Sequence, residues 1–332
     1  MDWHAIFSQS LQQAVGPTAA VYCLAAIGLN VHFGYAGLLN FGQAGFMAVG
    51  GYTVASFVAT WGLSFWLSLP LAIALAVLLA LILGVPTLRL RIDYLAIVTL
   101  AAAEIIRQTI GSVTLLEYFG GQDGLQNFSR SFTSLNPFDE RHGIPGIVSW
   151  RPNDLWTLIV TWTLVAFGCL VVWALTRSPW GRVLKGVRED EHAVRSLGKN
   201  VYAYKMQALI VGGVIGAVAG VMSALQHAAI NPSLFAVDTT FFAYTVLLLG
   251  GAARVFGPVA GSIIFWFLIT VLDLFFSQAT AGPDPIIPTS IMNAQQASLV
   301  RFIFMGLSLM LLMVFRPQGI LGDRKELAFD AR

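Results

Sequence analysis

Charge is what this chain has least of: Asp, Glu, Lys and Arg make up 11% of its 332 residues, against roughly 25% in an ordinary soluble domain. Between Trp3 and Leu88 there is no Asp, Glu, Lys or Arg, and none between Met206 and Val237. A core so extensive, in a chain 57% hydrophobic with a mean hydropathy of +0.74, has too few polar residues to cover it against water, which excludes a soluble globular fold. Cysteine is scarce too. Cys23 and Cys169 both lie inside apolar runs, so no disulfide framework is expected and the two read as small buried hydrophobes. Metal-ligand spacing is missing: His4, His32, His142, His192 and His227 are scattered, and no metal is expected. The first residues, Met1 through Gly16-Pro17, lack the basic region and the small-residue cleavage pattern of a signal peptide and are expected to be mature sequence.

What is present is a series of apolar runs. With about 20 apolar residues needed per spanning helix, candidates fall near 18–33, 44–61, 66–85, 94–113, 155–175, 206–226, 236–251, 258–276 and 299–315, about nine in all. These runs are far longer than the ~10 alternating residues of a barrel strand. The expected fold is an all-α polytopic membrane bundle, one transmembrane domain over 1–332, because helices satisfy their own backbone in lipid.

Orientation follows from Lys and Arg in the short loops. The loop 176–205 holds seven basic residues (Arg177, Arg182, Lys185, Arg188, Arg195, Lys199, Lys205) and three acidic ones (Glu189, Asp190, Glu191). Arg89 and Arg91, and the tail 316–332 with Arg316, Arg324, Lys325 and Arg332, fall on the same side if there are nine crossings. That side and the C-terminus are expected to be cytoplasmic. The loop 114–154, where acidic residues outnumber basic ones, is expected outside.

Within the charged island, Ser178-Pro179 marks a helix start. A second short helix begins at Glu189-Asp190-Glu191 and ends at Arg195 and Gly198, with charges placed as the helix dipole prefers. Ala193, Val194 and Leu197 are its expected exposed apolar residues. Taken alone, the island is either a partner-docking element or an interfacial linker resting on lipid headgroups.

Six glycines between Phe33 and Gly51 (Gly34, Gly37, Gly42, Gly45, Gly50, Gly51) point to broken or closely packed membrane segments. Beside them, Asn30, Asn40 and Gln43 offer neutral hydrogen-bonding groups for a translocation path, or simply support packing. Val at Gly42 or Gly45 should be damaging; Gly62, in a loop, should accept Ala. Glu104 and Arg107, three residues apart, are either a structural ion pair or a polar point on the path. Asp273 stands alone in its span.

Several blocks in order resemble the membrane permease of branched-chain amino acid ABC importers of the LivM type: Gly28-Leu29-Asn30, Gly34 to Ala44, Asp93 to Leu100 with Glu104-Ile105-Ile106-Arg107, Gly181-Arg182, Arg188 to Glu191, Leu197-Gly198, Gly250-Gly251 with Gly257-Pro258, and Arg316 to Gly322. The resemblance implies a multi-pass subunit of the bacterial cytoplasmic (inner) membrane, in contact with membrane lipid. It implies a second permease subunit of the LivH type, two ATPase subunits and an external solute-binding protein as partners, and no nucleic acid. It also implies that Arg188, Glu189, Asp190, Glu191, Ala193, Val194, Leu197 and Gly198 belong to a coupling loop seated in an ATPase cleft, with His192 interrupting the family's Glu-Ala-Ala string.

No lysine lies in a phosphate-cradling Gly-rich loop. Phe119 to Asp123 superficially matches an ABC signature loop but falls in the segment expected outside. ATP is therefore expected to be used by partner subunits, with no cofactor on this chain and no enzyme activity of its own. An ABC permease for urea or short amides is the nearer alternative, and a self-sufficient secondary transporter or channel the more distant one.

Overall fold

The computed structural model describes residues 2–89, 92–144, 148–280, 294–316 and 318–322. Arg91 and, in the tail, Arg324, Lys325 and Arg332 lie outside the described residues, as does Pro317 of the Arg316 to Gly322 block. The chain runs α1 (Trp3–Ala14), α2 (Pro17–Leu29), a π-helical turn (Asn30–Tyr35), α3 (Gln43–Ala59), α4 (Phe65–Thr87) and α5 (Ile92–Ile110). The long loop then holds α6 (Leu116–Phe119), β1 (Leu125–Gln126), α7 (Arg130–Thr133), β2 (His142–Ile144) and β3 (Val148–Trp150). After it come α8 (Pro152–Arg177), α9 (Pro179–Glu189), α10 (Glu191–Ser196), α11 (Val201–His227), β4 (Ala229–Ile230), α12 (Val237–Gly250), α13 (Gly257–Thr280) and α14 (Ala294–Phe315).

Proline opens α2, α8 and α9 at their first positions, where its missing N–H costs nothing. All nine expected apolar segments fall on helices, which makes the fold an all-α membrane bundle. Their lengths differ from expectation. Among the described residues five helices are long and apolar enough to cross a membrane, or six if Tyr94–Ile110 and Val113–Phe119, bent by 59°, form one span. Helix α3 has 17 residues and α12 has 14, about 25 and 21 Å at 1.5 Å per residue, short of a hydrocarbon core of about 30 Å. Each is short because non-helical chain precedes it: residues 37–42 before α3, and a 3₁₀ turn at Pro232–Phe235 before α12.

Burial separates centre from periphery. In their most apolar windows, α2 is 83% and α11 72% buried, against 33% for α4 and 28% each for α8 and α13. The central helices approach closely because they carry glycine. A Cβ on Gly28 would sit 2.5 Å from the Gly212 carbonyl oxygen, and one on Gly213 2.5 Å from the Phe46 ring. Small residues of this kind allow membrane helices to pack backbone to backbone, where dispersion rather than water exclusion is the main attraction.

The two ends of the bundle differ. At one end sit the island α9–α10, the turn 251–256 and residues 318–322, whose Ile320 and Leu321 amides bond to Leu249 and Gly250 carbonyls. Arg89 lies over the Tyr202 ring at this end, 5.5 Å from its centroid. At the other end, the long loop pairs β1 with β4 and β2 with β3. Among the described residues, Arg89 and the island thus share one end with 318–322.

Candidate functional site

The break between α2 and α3 is built first by backbone accounting. Gly37 takes φ +67°, and residues 37–42 run through the protein interior as neither helix nor strand. Side chains of two other helices, α5 and α12, complete it. The Asn40 amide donates to Tyr244 Oη at 3.2 Å, and that hydroxyl donates to the Asn40 carbonyl at 3.0 Å. Phe41 N–H donates to Thr99 Oγ1 at 3.0 Å, and Ala44 N–H to Thr240 Oγ1 at 2.9 Å. Gly42 N–H is capped by Asn40 Oδ1 at 2.9 Å. Irregular backbone at membrane depth persists only where protein or a cavity satisfies it, and here protein does so.

A second layer orients Asn40. Its Nδ2 lies 3.0 Å from His32 Nδ1, while His32 Nε2 lies 3.1 Å from the Leu209 carbonyl oxygen. A carbonyl only accepts, so Nε2 carries the ring hydrogen and Nδ1 accepts from the Asn40 amide. Gln43 Nε2 donates to the carbonyls of Ala25 and Gly212 at 3.2 and 3.4 Å. Asn30 ties the base of α2 to the turn after α12, accepting from Ala253 N–H and donating to the Arg254 carbonyl, both at 2.8 Å. Asn30, Asn40 and Gln43 are 1%, 0% and 0% exposed: their polarity faces protein. Gly42 and Gly45 seat α3 against α5, where a Cβ would lie 2.6 Å from the Thr99 carbonyl oxygen and 3.1 Å from Ala103.

Glu104 and Arg107 lie elsewhere, on the outward face of α5. They pair within that helix, Arg107 Nε to Glu104 Oε2 at 2.9 Å, and Gln108 Nε2 adds a bond at 2.7 Å. Their side chains are 36% and 22% exposed, flanked by the exposed Ile97 and Ile105. Asp273 is paired with Arg301 of α14 at 2.6 Å, a partner from a distant span that its own run did not reveal.

The island folds as two helices. Asp190 caps α10, accepting from His192 and Ala193 amides at 2.8 and 3.1 Å, and Gly198 ends it at φ +74°. Val194 is a correction: expected exposed, it is buried with Val187 and Val201 in a small cluster, because it is the one apolar side chain of α10 facing α9. Ala193 and Leu197 face outward, with Leu197 79% exposed. Glu189, Asp190, His192, Arg195 and Lys199 surround them, also exposed. Glu191 turns inward to an ion pair with Lys205 of α11. Arg188 reaches from α9 to the Gly34 carbonyl at the base of the break, so island and break are one hydrogen bond apart.

Sequence reasoning missed His32, Thr99, Thr240, Tyr244 and the role of Lys205. Thr99 lies within the block from Asp93 to Leu100, and Lys205 was visible only as a charge; nothing local distinguishes Thr240 or Tyr244, whose partners are about 200 residues away in the chain.

Comparison with known proteins follows the same lines. The family model described as the permease component of branched-chain amino acid transport systems matches residues 16–314. The high-affinity branched-chain amino acid transport permease LivM of Salmonella typhimurium is 31% identical over 313 residues, 91% of this chain and 68% of that protein. LivM of Escherichia coli is 30% identical over 315 residues, with the same coverage. The probable LivM permease of Methanocaldococcus jannaschii is 25% identical over 328 residues, 92% of this chain and 91% of that one.

Proposed function

The chain belongs to the branched-chain amino acid transport system permease family, and from that premise we propose that ATP-hydrolysing subunits dock on its charged island and drive substrate through it. It is the membrane-spanning permease subunit of an ABC importer for branched-chain amino acids.

One observation carries the coupling. Arg188 links the island to the Gly34 carbonyl, in the π-helical turn that leads into the non-helical segment held by α5 and α12. A force on α9–α10 therefore reaches the broken helix through a charged hydrogen bond rather than through a flexible loop. The exposed rim of Glu189, Asp190, His192, Ala193, Leu197 and Gly198 supplies the docking face, with Leu197 as its apolar anchor. That end faces the cytoplasm, on the bias of basic residues, and the loop 114–154 faces the external binding protein.

The polar stripe Glu104, Arg107 and Gln108 lines the path against a second permease subunit of the LivH type. A partly exposed ion pair facing lipid would be expensive, whereas a pathway or partner accounts for it. Asn30, Asn40, Gly42, Gln43 and Gly45 act behind that surface, holding the break that shapes it. Uptake of radiolabelled leucine into proteoliposomes tests the function. Uptake is expected only when this chain, the second permease, the ATPases, the binding protein and ATP are all present; leucine uptake by this chain alone would overturn the proposal.

A further inference from the structure

A cavity of about 360 Å³, open on one side, lies between α4, α8 and α11, away from both the break and the α5 stripe. Its walls include Ala72 of α4, Val160 of α8 and Val221 and Met222 of α11. An aromatic roof comes from Phe65, Phe132 and Trp156, with Phe132 and Trp156 rings 5.8 Å apart. The roof is pinned, since Trp156 Nε1 donates to the Phe132 carbonyl at 3.1 Å. Trp66 and Ile73 also line the cavity and are 58% and 43% exposed, so the space opens onto the outward face of α4. That face belongs to a spanning helix, which makes the opening continuous with the surface the bilayer covers.

The chemistry of the walls selects the occupant. The side chains that line the cavity are all apolar apart from the indole nitrogens of its two tryptophans, and Trp156 Nε1 is already committed to Phe132. An amino acid would leave an ammonium and a carboxylate unpaired there, and water needs two to four polar partners. A helix about 10–12 Å across does not enter such a space. A cavity of about 150 Å³ lined by apolar side chains holds benzene, so this one has room for a hydrocarbon segment on the order of a dozen carbons. We infer that the pocket is a binding site for one acyl chain of a bilayer phospholipid, which inserts between Trp66 and Ile73 under the roof of the long loop. The site stands apart from the transport reading, because none of its residues belongs to the island, the break or the α5 stripe.

The assembled importer is reconstituted in nanodiscs containing phosphatidylcholine with a diazirine midway along one acyl chain, then irradiated, and labelled peptides are mapped by mass spectrometry. Label is expected on 68–76 and 217–225. Ala72→Phe should lower it by about tenfold by filling the space, whereas Leu81→Phe, on the bilayer face of α4 outside the cavity, should leave it unchanged. If Ala72→Phe fails to assemble, Val218→Phe serves as the filling variant. Equal labelling in wild type and a folded filling variant would overturn the site. So would label found only when the chain is isolated from its partners, which would assign the groove to another subunit, or label abolished by excess free fatty acid, which would assign it to that ligand.

Discussion

The break from Asn30 to Ala44 and the island from Arg177 to Lys205 are two polar regions of a largely apolar chain, and they hold their polarity in opposite directions. In the break, neutral amides and hydroxyls turn inward and bond to protein, with Asn40 and Gln43 wholly buried. In the island most charges turn outward around an exposed Leu197, while the apolar Val187, Val194 and Val201 are tucked away. Inward polarity holds a shape that the backbone alone could not keep; outward polarity is available to a partner. Arg188, Lys185 and Glu191 are exceptions: Arg188 and Lys185 reach the π-helical turn, at the Gly34 carbonyl and over the Tyr35 ring, and Glu191 pairs with the buried Lys205 in the first turns of α11.

The largest expected effect comes from reversing that inward turn at Glu191. Glu191→Lys places two ammonium groups together where Lys205 is only 8% exposed, and breaking a buried pair costs about 3–5 kcal/mol, reduced here because a third of Glu191 reaches solvent. Assembled complex recovered in detergent should drop sharply and return in the swap with Lys205→Glu, while uptake stays low in the swap. Full uptake in the single variant would place Glu191 with the outward residues.

Next is Gly42→Val. The obstacle is the Thr99 carbonyl, which is backbone and does not yield, so a cost at the upper end of about 1–3 kcal/mol is expected. Complex yield and leucine uptake should fall together, and Gly45→Val, facing Ala103, should show the same direction. Wild-type thermal stability in the Gly42 variant would remove the close approach from the account of the break.

Tyr244→Phe probes the inward polarity without changing volume. It strands both the amide and the carbonyl of Asn40, and a buried unsatisfied group costs about 1–3 kcal/mol. A lower midpoint of thermal unfolding is expected, with ATPase docking retained in a pull-down, because the island is untouched. An unchanged midpoint would mean that the non-helical segment does not depend on that hydroxyl.

A smaller effect on assembly is expected at Glu104 and Arg107. Facing lipid, a charge stranded by a single change to Ala would cost about 2.5–3.5 kcal/mol and the double change would relieve it. On a pathway surface, both single variants should assemble as well as the double one and lose uptake. Yields that recover only in the double variant would move the pair to the lipid face.

Gly62→Ala carries the smallest change. Position 62 has open space around it, as a loop glycine should, but its φ of +64° asks an L-residue to adopt the left-handed region at about 1 kcal/mol. Stability should dip slightly and uptake stay normal. A loss of uptake equal to that of Gly42→Val would erase the distinction between loop and packed glycine.

Composition alone determined the all-α membrane class and the location of nine helical segments, because hydrophobic length is a local property that each segment carries in its own residues. The island was legible for the same reason: Ser178-Pro179, Asp190 and Gly198 are start and stop signals that act over a few residues. The tertiary structure decided where those segments stop being helical and which polar groups are used up inside. Helix α3 begins at Gln43 because Thr99 and Tyr244 accept or donate for the chain before it and Thr240 accepts from the Ala44 amide of its first turn, and Asp273 finds Arg301 in another span. Hydrogen bonds and ion pairs between residues far apart in the chain have no periodicity to announce them, so only packing could bring His32 to Asn40 beneath Leu209 and turn Val194 away from solvent.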